Sequence, residues 1–182
     1  MPDPCRGGLQ THPLRAMNLL LTGFMGVGKS TIGRLLARRL GYCLLDTDTE
    51  IERQQDCTIA DIFRDAGEIR FRDLETRLLE SLQSVQNTII ATGGGMVVRE
   101  QNRALMQSLG KRVYLRTPPA HLIGRLSRDK HRPLLHQGEE TPEQRVTRLL
   151  NEREPIYMEA EVVVDTQHLT PAQTATEIIR KL

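Results

Sequence analysis

The chain has 182 residues, of which 38% are hydrophobic and 26% are charged. These values are ordinary for one soluble globular domain with its own core. The 25 Lys and Arg nearly balance the 23 Asp and Glu, which gives a formal net charge of +2. That balance argues against DNA binding by bulk charge, and an aromatic content of 3% without Trp argues against a stacking surface for single-stranded nucleic acid.

The N-terminus and the cysteines bear on location in the cell. Residues 1–16 contain three Pro and two Gly and lack the apolar run of a signal peptide, so they are predicted to be a disordered tail. Met17 directly precedes the first predicted strand and is an alternative start. The three cysteines are odd in number and form no CxxC pair, which favours a reduced chain without a disulfide framework or a zinc site. With no apolar stretch as long as a membrane span, these features predict a cytoplasmic protein.

Five short apolar runs alternate with helical patterns along the chain. The runs are apolar without alternation, which is typical of strands covered on both faces in a parallel sheet. The predicted strands are Asn18–Thr22, Tyr42–Asp46, Thr88–Thr92, Arg112–Arg116 and Glu161–Asp165. The predicted helices are Lys29–Leu40, Glu68–Leu82, Val98–Leu109, Pro118–Leu126, Thr141–Met158 and Pro171–Leu182. This order predicts a doubly wound α/β domain that binds its ligands at the carboxyl ends of the strands.

The strongest motif is GFMGVGKS at residues 23–30, between the first strand and the first helix. It fits the pattern GxxxxGK[ST] of a phosphate-binding loop. Gly23, Gly26 and Gly28 would let backbone N–H groups curl around a polyphosphate at the positive end of the helix. Lys29 is expected to reach the β- and γ-phosphates, and the Ser30 hydroxyl to bind Mg²⁺. A chance glycine turn is the alternative, which the flanking strand and helix disfavour.

A second cluster, Asp46-Thr47-Asp48, ends the second predicted strand. If the backbone stays extended, residues two apart face the same side, so both carboxylates would face the site. One could orient Mg²⁺ through its water shell and the other could hold a substrate hydroxyl. Asp46 is the candidate for the metal because no aspartate follows the third strand. The alternative is helix capping, for which Asp and Thr are well suited.

Three consecutive glycines, Gly93, Gly94 and Gly95, directly follow the third strand. Without side chains, this turn would let a ligand touch the backbone closely. The alternative is a mobile turn with no ligand.

Three arginines are candidates for binding an anionic substrate, namely Arg72, Arg132 and Arg153. Arginine is suited to bidentate recognition of a carboxylate or a phosphate. Glu68 and Glu75 lie within helical reach of Arg72 and could orient it. Each arginine, taken alone, could instead be an ordinary surface charge or part of a helix ion pair.

Together these motifs resemble those of the shikimate kinase family. The resemblance covers residues 17–182 and rests on GFMGVGKST (23–31), DTD (46–48), FRDLE (71–75), GGG (93–95), RPLL (132–135) and ERxPxY (152–157). It implies a three-layer αβα P-loop kinase fold whose five-stranded parallel sheet has the order 2-3-1-4-5. It also implies a substrate-binding region at about 47–83 and a mobile lid at about 127–140. The implied reaction is transfer of the γ-phosphoryl group of ATP to the 3-hydroxyl of shikimate, on the chorismate route to aromatic amino acids.

The resemblance implies roles for individual residues. The implied catalytic residues are Lys29 and Arg132, which would neutralise the transferring phosphoryl group, and Asp48, which could accept the hydroxyl proton. The implied ATP contacts are Gly23, Met25, Gly26, Val27, Gly28, Lys29, Ser30, Thr31, Arg125 and Arg132. The implied shikimate contacts are Asp48, Arg72, Gly93, Gly94, Gly95 and Arg153, with the two arginines on the carboxylate. Mg²⁺ would be held at Ser30 and Asp46. His168 and Leu169 stand where the family often has an arginine beside the adenine.

Two alternatives stay open from the sequence. Another small-molecule kinase, such as a gluconate kinase, would share the phosphate-binding loop but has no special need for paired arginines beside the DTD and GGG motifs. A non-catalytic nucleotide-binding domain would be expected to have lost Lys29, Asp48 or an arginine, and this chain retains them. The expected partners are therefore ATP and shikimate, without nucleic acid or membrane, and the chain is expected to be a monomer.

Overall fold

A parallel five-stranded sheet forms the centre of the computed structural model, which describes residues 17–126 and 140–182. The strands are β1 (Leu19–Thr22), β2 (Cys43–Asp46), β3 (Thr88–Ala91), β4 (Lys111–Arg116) and β5 (Val162–Asp165). Their order is β2-β3-β1-β4-β5, and every pairing is parallel. The predicted sheet and its order are confirmed, with each strand displaced by one residue at one end.

The described residues form seven helices and a short 3₁₀ helix at Met96–Val98. The helices are α1 (Lys29–Leu40), α2 (Thr47–Gln55), α3 (Ile59–Ser81), α4 (Glu100–Leu109), α5 (Pro119–Leu126), α6 (Pro142–Tyr157) and α7 (Pro171–Lys181). The bounds of α1 are those predicted, because Gly41 adopts a left-handed conformation with φ 67° and ends the helix. Both α6 and α7 begin with a Thr capping box followed by Pro. None of these described helices combines the length and hydropathy of a membrane span.

Residues 47–55 and 59–66 form helices that the sequence did not predict. The DTD motif does not stay extended: Asp46 is the N-cap of α2, as in the capping alternative, and its side chain accepts the backbone N–H groups of Asp48 and Thr49. Only Thr47 and Ile51 of α2 are buried, so the helix has no apolar periodicity by which it could be found. Helix α3 consists of two helical segments, 59–66 and 68–81, on either side of Gly67, whose φ of 76° and ψ of 175° are not helical. The second segment is the helix predicted at Glu68–Leu82, and the first was not predicted.

The buried centre of the sheet fixes the loops that follow its strands. Strands β1 and β3 are buried along their whole length. Leu20 of β1 is in register with Ile90 of β3 on one side and with Arg112 of β4 on the other. Helix α1 packs against α7 and β3, whereas α3 packs against α4. The carboxyl ends of β1, β2 and β3 therefore meet at one edge of the sheet, on a rigid base.

Two predicted regions lie outside the described residues. These are the tail at 1–16 and the lid at 127–140, apart from Glu140 at its end. Arg132 lies in the second region. Of Arg125, which belongs to α5, only the backbone is described.

Two cysteines fall in the described part of the chain. Cys43 begins β2, and Cys57, which lies between α2 and α3, is free and half-buried. The reduced state of the chain stays a prediction.

Candidate active site

The loop at residues 23–28 joins β1 to α1 and has the backbone of a phosphate-binding loop. Its glycines Gly23, Gly26 and Gly28 have φ values of 136°, 80° and 97°, which residues with side chains rarely adopt. A Cβ atom on Gly23 would also lie 2.8 Å from the carbonyl oxygen of Leu115. The loop therefore requires glycine, and it leads into the N-terminus of α1, where backbone N–H groups favour an anion.

The side chain of Lys29 folds back over this loop. Its Nζ donates hydrogen bonds to the carbonyl oxygens of Gly23 at 2.7 Å and Phe24 at 2.9 Å. The ammonium group thus lies beside the loop that is predicted to hold the phosphates. A cation there is well placed to exchange a carbonyl contact for a phosphate oxygen.

Asp46 links the phosphate-binding loop to α2 through its two carboxylate oxygens. Oδ2 accepts a hydrogen bond from the Ser30 hydroxyl at 2.5 Å. Oδ1 accepts the backbone N–H of Asp48 at 3.1 Å and of Thr49 at 3.4 Å. Asp46 therefore caps α2, and its other carboxylate oxygen still reaches the phosphate-binding loop. The hydroxyl and carboxylate oxygens that meet here are hard donors of the kind Mg²⁺ prefers, so these residues fit the metal.

Asp48 reaches the site from the first turn of α2. A Cβ atom on Gly93 would lie 2.7 Å from Asp48 Oδ1 and 2.9 Å from Glu75 Oε1, so two carboxylates flank the glycine's α-carbon. The backbone N–H of Gly93 donates to the Thr47 hydroxyl at 2.9 Å. Gly93 therefore has to lack a side chain for Asp48 and Glu75 to come this close together.

Arg72 lies on α3 between two carboxylates. Its Nη1 binds Glu75 Oε2 at 2.8 Å, and its Nη2 binds Glu68 Oε1 at 2.8 Å. The orienting ion pairs predicted from helical spacing are thus present. A Cβ atom on Gly95 would lie 2.4 Å from both terminal nitrogens, so the guanidinium lies directly against the glycine backbone.

The Glu75 carboxyl is wholly buried; among the described residues its Oε2 pairs with Arg72, whereas its Oε1 has no hydrogen-bond partner. The pKa of Glu75 is raised to about 7, chiefly by burial with a smaller contribution from the Asp48 carboxylate, and against the lowering effect of the Arg72 guanidinium. A carboxyl that titrates near neutral pH beside a candidate base is characteristic of a functional site.

Arg153 reaches the same region from α6. It is 8% exposed, and its guanidinium lies 5.9 Å from the ring centroid of Phe24 in the phosphate-binding loop. Its Nη1 is buried without a hydrogen-bond partner among the described residues. A buried guanidinium nitrogen without an acceptor favours binding of an anion.

The comparisons with known proteins agree with this geometry. The family model for shikimate kinase matches residues 25–182. This chain belongs to the shikimate kinase family. A curated shikimate kinase of Chromohalobacter salexigens is 46% identical over 164 residues, which is 90% of this chain and 90% of the relative. A solved shikimate kinase from Acinetobacter baumannii in complex with shikimate is 42% identical with a TM-score of 0.85, covering 90% of this chain and 91% of that one.

The gluconate kinase alternative finds less support. A gluconokinase from Sinorhizobium meliloti 1021 has a TM-score of 0.53 at 20% identity, covering 91% of this chain and 88% of that one. At that identity the likeness shows a shared fold alone. The family match therefore favours a shikimate kinase over a gluconate kinase as the interpretation of the phosphate-binding loop.

The fold brings most of the shikimate kinase residues predicted from the sequence to one edge of the sheet. Met25 and Val27 are buried, so their side chains lie in the core and their backbone is what can face a nucleotide. Thr31, by contrast, is exposed at the start of α1. In the loop predicted to border the adenine, His168 is exposed and Leu169 half-buried. The adenine contacts there stay a prediction.

One residue that contacts this site was not assigned a role from the sequence. The Tyr157 hydroxyl donates a hydrogen bond to the carbonyl oxygen of Gly94. The tyrosine was part of the ERxPxY motif, and its position four residues after Arg153 was the available signal. Helical spacing alone places the two on one face but cannot reveal a backbone partner 63 residues away in the chain.

Proposed function

We propose that this chain transfers the γ-phosphoryl group of ATP to the 3-hydroxyl of shikimate, giving shikimate 3-phosphate and ADP. The observation that carries the proposal is a juxtaposition at one sheet edge. A phosphate-binding loop lies beside a pair of carboxylates and two arginines. Both arginines are buried, since Arg72 is 7% exposed and Arg153 is 8% exposed. This set provides for a polyphosphate, a hydroxyl and a carboxylate, which are the groups that this reaction brings together.

The donor half of the site is the loop at 23–28 with the first turn of α1. Its backbone N–H groups would bind the phosphates, and Lys29 would neutralise charge as it develops on the transferring group. Arg125 and Arg132 are proposed to assist at the adenine and the phosphoryl group, respectively. For these two arginines the support is the family resemblance.

The acceptor half consists of Arg72, Arg153, Asp48 and the glycines at 93–95. The two arginines would hold the carboxylate of shikimate, and Asp48 its hydroxyls. The close approach of Arg72 to Gly95 supports this grouping, because it puts the guanidinium directly beside the glycine turn. The buried Nη1 of Arg153, which has no acceptor among the described residues, would distinguish a carboxylate from a neutral group.

Mg²⁺ is the proposed cofactor, and Ser30 and Asp46 would hold it. When bound, the metal would neutralise charge on the β- and γ-phosphates and help align them. The contact between the Ser30 hydroxyl and Asp46 Oδ2 supports this assignment, because it places both donors together at the mouth of the loop.

The chemical step needs little covalent help from the protein. In a loose transition state the γ-phosphorus leaves the β–γ bridging oxygen of ATP as the shikimate 3-oxygen approaches from the opposite side. The hydroxyl proton passes to Asp48 Oδ1 or Oδ2, and the bridging oxygen departs on ADP. The residues contribute chiefly by holding the two substrates in line and by matching the developing charge.

A coupled assay of ADP release tests the proposal, with shikimate, with gluconate and without an acceptor. We expect turnover with shikimate alone. Arg153→Ala should weaken shikimate binding by about 2–5 kcal/mol and leave ATP binding nearly unchanged. Arg148→Ala is the matched control, since Arg148 lies on the same helix with its side chain 43% exposed. Turnover with gluconate would contradict the proposal. So would an Arg153→Ala variant that loses as much affinity for ATP as for shikimate.

We also propose that the enzyme acts as a monomer in the cytoplasm, where ATP is available. Light scattering on the purified protein, with and without substrates, measures the first point. For the second point, a thiol titration of protein isolated under non-reducing conditions should find the cysteines reduced, as is usual in a reducing compartment.

A further inference from the structure

Tyr157 is held rigidly at the end of α6. Its side chain is 1% exposed, and its ring stacks on Tyr114 of β4 with the centroids 5.0 Å apart and the planes 18° from parallel. Stacking on a strand in the centre of the domain leaves the ring little freedom. The position of the phenol oxygen is therefore set by the core.

The hydroxyl of Tyr157 connects two parts of the acceptor site. It donates to the carbonyl oxygen of Gly94, in the glycine turn after β3. Burial raises its pKa to about 12, so it stays protonated and remains a donor at neutral pH, while the nearby Arg153 guanidinium lowers that pKa. The phenol oxygen thus lies between the arginine of α6 and the glycine turn.

Gly94 in turn packs against the phosphate-binding loop. A Cβ atom on Gly94 would lie 3.1 Å from the backbone nitrogen of Met25 and 3.5 Å from the carbonyl oxygen of Gly23. The carbonyl that Tyr157 holds therefore belongs to a residue in direct contact with the donor half of the site. A shift of Gly94 would change the distance between the two halves.

We infer that Tyr157 is a positioning residue, whose hydroxyl holds Gly94 and Arg153 in register with the phosphate-binding loop and so sets the place of the shikimate carboxylate relative to ATP. The inference rests on the proposed function and adds a residue to it. Without the hydroxyl, the Gly94 carbonyl loses its partner at a part-buried site. The Arg153 guanidinium loses the phenol oxygen with which it interacts. Displacements of about 1 Å in such a site can cost about 100-fold in rate.

The test compares Tyr157→Phe with Tyr114→Phe, which removes a hydroxyl from the other ring of the same stack. We expect Tyr157→Phe to lower kcat/KM for shikimate about 10- to 100-fold, with KM for ATP within about twofold of wild type. Tyr114→Phe should leave both constants near wild type. Measurements are made well below the thermal unfolding midpoints of both variants, so that a general loss of stability does not enter the comparison.

A double variant tests whether Tyr157 acts through Arg153. If it does, Arg153→Ala with Tyr157→Phe should lose less than the product of the two single losses in kcat/KM. Fully multiplicative losses, or a Tyr157→Phe enzyme that matches Tyr114→Phe, would overturn the inference while the wild-type activity on shikimate stands. A wild-type protein without that activity would overturn the proposed function, and this inference with it.

Discussion

Glu75→Gln is the substitution for which the structure makes the sharpest quantitative prediction. The carboxyl is wholly buried in α3, where it faces Arg72 on its own helix, Asp48 from α2 and Arg153 from α6. Glutamine keeps the shape of the side chain and removes its ionisation. The variant therefore isolates how much the protonation of this one group contributes to the pH dependence of stability.

The magnitude follows from the pKa of Glu75, which burial raises from its ordinary value of 4.5 to about 7. Below pH 4.5 the group is protonated in both the folded and the unfolded chain. Between 4.5 and 7 the unfolded chain releases the proton and the folded chain keeps it, so the free energy of unfolding falls as pH rises. At about 1.4 kcal/mol for each pH unit, the loss between pH 5 and pH 8 is about 2 to 3 kcal/mol.

Urea unfolding of both proteins at pH 5, 6, 7 and 8 measures this effect. We expect the free energy of unfolding of Glu75→Gln, relative to wild type, to increase by about 2 to 3 kcal/mol from pH 5 to pH 8. Glu80→Gln is the control, since Glu80 is exposed near the end of the same helix. A difference between Glu75→Gln and wild type that stays constant over this range would refute the reasoning.

The remaining predictions concern catalysis and are read from steady-state kinetics. Lys29→Ala should lower kcat by about three orders of magnitude with the fold intact. Near-normal turnover would contradict the proposal that Lys29 binds the phosphates. Asp48→Asn should lower kcat by about 10²- to 10⁴-fold with little change in KM for ATP, whereas ordinary turnover would exclude both its base and its anchoring role. Gly95→Ala would place a Cβ atom 2.4 Å from the Arg72 nitrogens, so KM for shikimate should rise at least about tenfold, and an unchanged KM would show that this arginine does not hold the substrate.

The sheet and the phosphate-binding loop could be predicted from the sequence because their signals are local. A strand buried on both faces is a continuous apolar run, and the loop between β1 and α1 needs glycine at positions of positive φ. Helix α2 could not be found in the same way. Because only Thr47 and Ile51 of α2 are buried, its sequence has too few apolar positions to predict which face of the helix packs against the domain.

The contacts within the site were harder to predict because they join residues distant in the chain. The ion pairs of Arg72 with Glu68 and Glu75 were within reach of the sequence, since all three lie on one helix. The approach of Asp48 and Glu75 across Gly93 was not, because it depends on how α2 and α3 meet the turn after β3. The triple glycine could be recognised as a place of close approach, but only the fold shows which atoms approach.

The two arginines of the acceptor site are held in different ways, and the difference fits their proposed task. Two carboxylates bind Arg72 in the structure, whereas the buried Nη1 of Arg153 has no partner among the described residues. A buried guanidinium nitrogen without an acceptor lowers stability, and a substrate carboxylate would recover that free energy on binding. Arg72 would then supply a fixed surface, and Arg153 the unsatisfied donor that favours an anion. Glu75 completes this arrangement, because a carboxyl with a pKa of about 7 can give or take a proton as negative charge enters beside it.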